Sequence, residues 1–146
     1  MLIGKYKNSI DIKNRICIPH KFRGDIGGRC VLSRDMTDNC LNLYPLEQWD
    51  IFSKKIEELP TIKMKRVRQL IYSNSDEVEL DSQGRIILNQ QICEKTGLLT
   101  EKEAMIIGTL SHVQIWSLSE WKKFEEDLNS GETKESVIND LLEIGF

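Results

Sequence analysis

Histidine is scarce in this chain: only His20 and His112 occur in 146 residues. Neither has a nucleophile or a carboxylate at the spacing of a catalytic motif, and no glycine-rich phosphate loop is present. An enzyme is therefore not expected. The four cysteines are Cys17, Cys30, Cys40 and Cys93. Cys17 and His20 form the one close pair of metal-ligating types, where a zinc site wants two such pairs. No metal and no cofactor are expected, and the thiols should be reduced and mostly buried. No run of apolar residues approaches a membrane span, and Met1–Gly4 is too short for the apolar segment of a signal peptide. A soluble, cytoplasmic protein is the expectation.

What the chain does have, it has twice. Ser9-Ile-Asp-Ile-Lys-Asn-Arg-Ile-Cys-Ile-Pro19 is answered by Glu79-Leu-Asp-Ser-Gln-Gly-Arg-Ile-Ile-Leu-Asn89. Asp11 and Asp81 lie 70 positions apart, as do Arg15 and Arg85. Tyr44-Pro-Leu-Glu-Gln-Trp49 and Trp116-Ser-Leu-Ser-Glu-Trp121 repeat at a distance of 72, followed by Phe52 and Phe124. Matched turns and matched helix starts over such a period mean two tandem copies of one small fold. The organisation expected is a first repeat at 1–59, a connecting helix at 60–73, a second repeat at 74–128 and a helical tail at 129–146. Each repeat is too small to bury a comfortable core alone, so the two should share one or gain burial by oligomerising.

Charge separates the copies. Residues 1–70 carry 14 Lys+Arg against 8 Asp+Glu, a balance of +6, whereas residues 71–146 carry 6 against 15, a balance of −9. Lys5, Lys7, Lys13, Arg15, Lys21 and Arg23 face a single acid, Asp11, in the first 23 residues. A cluster of this kind points to a polyanion, nucleic acid above all, as the partner of the first half. A protein-binding module gains nothing from it.

Each copy starts with an alternating strand that runs into the Asp-x-x-x-Arg turn and out again as a hairpin. Asn14 and Gly84 take the fourth place of the turn, and both types tolerate positive φ. Asp11 and Asp81 head their turns as acceptors of backbone N–H groups, and Arg85 with Asp81 fits a structural ion pair. A short helix is expected after each hairpin: one begins at Pro19 with Phe22 and Ile26 inward, and one is capped by Asn89 and stops at Gly97. A second strand pair follows in each copy, Cys30–Ser33 with Cys40–Tyr44 and Met105–Gly108 with His112–Trp116. A closing helix then buries Trp49, Phe52, Ile56 and Leu59, or Trp121, Phe124 and Leu128. The basic face of the helix expected at 60–73 suits either a phosphate backbone or the acidic second half. Val137, Ile138, Leu141 and Leu142 on the last helix need a surface to cover.

Two Asp-x-x-x-Arg turns, the lead-in Gly4-Lys5-Tyr6, the stretch Ile18-Pro-His-Lys-Phe-Arg23 and the aromatic-x-Leu-x-x-Trp helix starts together resemble the bacterial MraZ proteins over essentially the whole chain. The resemblance implies a mainly β fold with short helices (α+β), a double-split, swapped-hairpin β-barrel built from two AbrB-like repeats. It also implies a ring-shaped homo-oligomer in the cytoplasm and nucleoid. As a DNA-binding regulator it would act on the division and cell-wall gene cluster, its own gene included, through short G-rich direct repeats near the promoter. The family's first turn has glycine where Asn14 stands here, and the second turn has Gln83 where the first has Lys13.

On this reading the function sits in the first turn. Arg15 presents a planar fork of donors suited to guanine O6 and N7, while Lys5, Lys7, Lys13, Lys21 and Arg23 grip phosphate. Arg15 equally suits an ion pair with Asp11 that stiffens the hairpin. The rival reading is an AbrB-like protein-binding or antitoxin-type module without specific DNA readout.

Overall fold

The computed structural model describes all 146 residues. In chain order the first half contains β1 (Leu2–Ser9), β2 (Arg15–Cys17), α1 (His20–Ile26), β3 (Arg29–Arg34), β4 (Cys40–Pro45), α2 (Leu46–Glu57) and α3 (Thr61–Ser73). The second half contains β5 (Ser75–Glu79), β6 (Arg85–Ile87), α4 (Leu98–Glu101), β7 (Glu103–Leu110), β8 (Val113–Ser117), α5 (Leu118–Leu128) and α6 (Gly131–Glu143). Six strands form one antiparallel sheet in the order β1-β7-β8-β4-β3-β5, and β2 pairs with β6 in a separate ribbon. Replacing each strand of the sheet by its counterpart in the other repeat returns the same order reversed. The molecule is therefore pseudo-two-fold symmetric. The axis runs between Ile16 and Ile86 in the ribbon and between Asn42 and Gln114 in the sheet, where equivalent residues pair in register.

The strands flanking each Asp-x-x-x-Arg turn do not continue as a hairpin. After the Ile10–Ile16 bridge they part: β1 crosses to β7 of the other repeat, and β5 crosses to β3. For β1 the receiving strand makes room for it locally. Gly4 faces Gly108 in the β1–β7 register, and a Cβ built on Gly108 would lie 2.5 Å from the carbonyl carbon of Leu2. Only glycine admits β1 this closely. Along β1, Leu2 is buried and Tyr6 packs edge-on against Phe22 at 5.3 Å, while Ile3, Lys5 and Lys7 alternate to the opposite face.

One core serves both repeats. Leu32, Leu41 and Leu43 from the first half and Ile106, Val113 and Ile115 from the second turn to one face of the sheet, where the ribbon residues Ile16 and Ile86 and the α1 residue Phe22 cover them. All are nearly inaccessible, so neither repeat holds a core of its own. The opposite face carries two aromatic clusters that seat the closing helices. Tyr44, Trp49 and Phe52 hold α2, and Trp116, Trp121 and Phe124 hold α5.

The sheet does not close into a barrel: β1 and β5 are its two edges, each with a single partner strand. Other expectations shift as well. Pro19 caps α1 in an extended conformation and is not its first helical residue. The segment after Asn89 forms successive turns and no helix, although Asn89 does accept N–H bonds from Gln91 and Ile92. Lys95 at φ 68° breaks the helical path there, and the short α4 follows Gly97. Leu59, expected inward, lies past the end of α2 and is 36% exposed.

Candidate nucleic-acid interface

The two turns are built alike. In the first, Asp11 Oδ1 accepts the backbone N–H groups of Lys13 and Arg15 at 2.9 Å, and Oδ2 takes the Arg15 Nε at 2.8 Å. In the second, Asp81 receives Gln83, Arg85 and the Arg85 Nε at the same distances. The N–H bonds from Arg15 and Arg85 respectively, reinforced by the guanidinium and the neighbouring N–H, hold each carboxyl below its ordinary value of 3.8 despite some desolvation. Asn14 at φ 59° and Gly84 at φ 75° supply the left-handed residue that closes the turn.

Each turn is fastened by the other repeat. Leu88 N–H donates to the Asn14 carbonyl and Ile18 N–H to the Gly84 carbonyl, both at 2.8 Å. These two bonds exchange under the pseudo-two-fold. Lys102 Nζ also reaches the Asn14 side chain. Arg23 lies over Gly84, donating Nε to the Ile18 carbonyl at 2.9 Å and approaching Cys17 Sγ with Nη2 at 3.0 Å. A Cβ on Gly84 would fall 2.2 Å from the Arg23 guanidinium carbon.

These contacts sort the basic residues singled out by the sequence. Arg15 and Lys13 sit at the first turn, Lys13 fully outward. Ile16 and Ile86 point inward at 0% and 1% exposure, so the neighbours Arg15 and Arg85 both face away from the core on one side of the ribbon. Each is about a quarter exposed, and in each the terminal nitrogens beyond Nε have no partner in the chain. Ile12 and Ile87 stand beside them at 96% and 64% exposure. Lys21 is exposed at the start of α1. Lys5 and Lys7 lie on the helix-bearing face instead. Lys5 Nζ bonds Glu125 of α5 at 3.3 Å and lies 6.0 Å from the Trp121 ring. Arg23 is committed to its cross-repeat brace. What sequence reasoning missed is Arg85: only the β2–β6 pairing makes it a neighbour of Arg15, and the matched spacing of the repeats was the one available signal.

The remaining candidates carry little chemistry. Burial pushes the Cys30 thiol up to about 12 and Cys93 to about 11, so both are poor nucleophiles. No group of three His, Cys, Asp or Glu side chains could hold a metal ion. No helix is long and apolar enough to cross a membrane.

Both repeats match a known protein family. Residues 1–70 and 71–141 each match the family model described as "MraZ protein, putative antitoxin-like". The chain is 38% identical to the Transcriptional regulator MraZ of Alkaliphilus oremlandii, with both chains covered in full. It is 38% identical to that of Clostridium beijerinckii, covering 97% of this chain and 99% of the relative. With the protein of the same name from Lactobacillus gasseri it shares 36% identity over 99% of each chain. Those relatives are named as regulators and not as enzymes. Two family matches that together span nearly all of the chain, with full-length relatives of this similarity, establish that this protein belongs to the MraZ family.

Proposed function

We propose that this protein is a double-stranded-DNA-binding transcriptional regulator that reads base edges with the outward face of the β2–β6 ribbon. One observation carries the proposal: two guanidinium groups, Arg15 and Arg85, are each oriented by an aspartate through Nε and keep their terminal nitrogens free on the same face. A two-stranded ribbon fits the major groove, and an arginine fork matches guanine O6 and N7. Lys13 and Lys21 flank the face and suit phosphate. Lys5, Lys7 and Arg23 contribute charge at a distance and no direct contact. G-rich boxes in direct repeat near the promoter of the protein's own division and cell-wall gene cluster are the proposed target.

A ring-shaped homo-oligomer would present several ribbons to repeated boxes, and linked contacts of that kind raise avidity by roughly 10²–10⁴ without new interactions. The strand exchange between repeats supports the swapped-hairpin plan. A cytoplasmic, nucleoid-associated location accords with this role. The second reading, an antitoxin-type binding module without DNA readout, draws on the family description and on the Asp–Arg pairs as braces alone.

The deciding experiment is titration of duplexes from the upstream region, with one box or several, against the wild type, Arg15→Ala and Arg85→Ala. The proposal expects each substitution to abolish the preference for boxed DNA with the assembly intact. Unchanged preference in both variants makes the arginines braces and favours the second reading.

A further inference from the structure

The pseudo-two-fold exchanges the two ends of the β2–β6 ribbon, yet the side chains around the two arginines differ in kind. Arg15 faces Ile87 across the ribbon and Arg85 faces Cys17, and directly opposed residues of an antiparallel pair share a side. Each turn also lies against the strand end that carries the facing residue. Leu88 N–H bonds the Asn14 carbonyl of the first turn, and Ile18 N–H bonds the Gly84 carbonyl of the second. Ile87 therefore neighbours the first turn and Cys17 the second. In the repeat, Ile87 answers to Cys17 and Ile12 to Ser82, each pair 70 positions apart.

The second end is polar and occupied. Cys17 Sγ meets Arg23 Nη2 at 3.0 Å and the Gln83 carbonyl at 3.5 Å. The first end is apolar and open, with Ile12 at 96% exposure and Ile87 at 64%. Ile12 gains nothing from folding, because almost none of its surface leaves water. The turn makes no demand for an apolar residue there either, since the second turn makes the same hydrogen bonds around Ser82. A single exposed isoleucine is ordinary, whereas two beside one free guanidinium form an apolar surface on a face otherwise suited to charge.

Resting on the DNA-binding reading of this face, we infer that Ile12 and Ile87 recognise the 5-methyl group of a thymine beside the guanine met by Arg15. In the major groove that methyl is the apolar group a base edge presents, and an aliphatic side chain is its natural mate. The contact also supplies what the arginines lack. Exchanged by the pseudo-two-fold, Arg15 and Arg85 alone would accept a box in either direction. Lys13 breaks that symmetry only through phosphate, and so without sequence information. An apolar contact at the Arg15 end alone makes the readout directional, with the thymine on the Arg15 side of the box and not on the Arg85 side.

Deoxyuridine lacks only the methyl group of thymidine, so the thymines of an upstream duplex are replaced by it one at a time and titrated against the full-length chain. The wild type is expected to lose about four-fold in affinity at a thymine adjoining the guanine to which Arg15→Ala becomes indifferent, the worth of one buried methyl group. The double variant Ile12→Ser/Ile87→Ser is expected to bind the unmodified duplex more weakly by a similar factor and to ignore uracil at that position. Its salt dependence should match the wild type, since no phosphate contact is lost. Light scattering and thermal melting accompany the titrations. A wild type indifferent to uracil at every position, or a double variant that keeps the wild-type sensitivity, overturns the inference and leaves base readout by the arginines standing. A double variant of altered molar mass assigns the isoleucines to contacts between copies and overturns it too. A wild type with no preference for boxed duplexes overturns the DNA reading along with it.

Discussion

Arg15 and Arg85 stand on one outward face of a three-residue ribbon, each clamped by its own aspartate at 2.8 Å and placed at opposite ends by the Ile16–Ile86 pairing. Strand rise puts their backbones roughly 7 Å apart along the ribbon, the step of two base pairs in a groove. The hydrogen bonds that each aspartate accepts within its own turn are the same for the two arginines. The asymmetry lies in what accompanies them, Lys13 beside the first and Gln83 beside the second.

That asymmetry separates two kinds of contact. Lys13→Ala should weaken binding by a similar factor on every duplex and flatten the salt dependence by about one counterion per subunit. Arg85→Ala should cost about 1–3 kcal/mol on boxed DNA and little on unrelated DNA. Competition titrations over a salt series measure both slopes. A sequence-dependent effect of Lys13→Ala would assign it to bases.

Gly84→Ala should destabilise the fold by about 1–3 kcal/mol, combining the cost of a left-handed alanine with displacement of the Arg23 guanidinium above it. Because the two groups collide, the loss in Gly84→Ala/Arg23→Ala should be smaller than the sum of the single losses. Urea denaturation gives all three values, and strict additivity would mean that Arg23 is not the obstacle.

Gly108→Val should strip the start of β1 from the sheet, because its side chain would occupy the space of the Leu2 backbone. Amide exchange at residues 2–6 is expected to speed up far more than at β4 or β8, which lie at the centre of the sheet. Uniform acceleration throughout would show that β1 and the core open as one unit.

His112 stacks on Tyr44 with ring centroids 4.6 Å apart. Its counterpart position in the first repeat is Cys40, which packs against Trp116 in the same way. Burial holds the imidazole below its ordinary value of 6.5, against the opposing pull of Asp35. The folded state thus favours the neutral ring. Its contribution to stability is full above 6.5 and declines as pH falls from 6.5 toward the lower folded value. His112→Gln should therefore flatten the fall of the melting temperature as the pH drops below 6.5. Asp11 and Asp81, held below 3.8, act in a more acid range.

Much of this fold is legible in the chain because its signals are local. An Asp-x-x-x-Arg turn has its aspartate, its left-handed residue and its arginine within five positions, so it can be read in either repeat without knowing what surrounds it. The aromatic-x-Leu-x-x-Trp starts mark α2 and α5 for the same reason, and Pro60 marks the start of α3. The tandem copies, the reversal of charge between them and the basic first turn all follow from the residues alone. Which strand β1 joins was not legible, because alternation describes a strand and not its partner. The choice rests on a glycine more than 100 residues away. That one exchange then moved Lys5 beside Glu125, merged two half-cores into one, and brought Arg23 down on Gly84. It also put Arg85 beside Arg15. The sequence by itself determined two similar units and the chemistry of their turns. Tertiary structure decided that the units share strands, since only pairing across the repeats buries both apolar faces, and the exchange makes a single two-armed surface from the two turns.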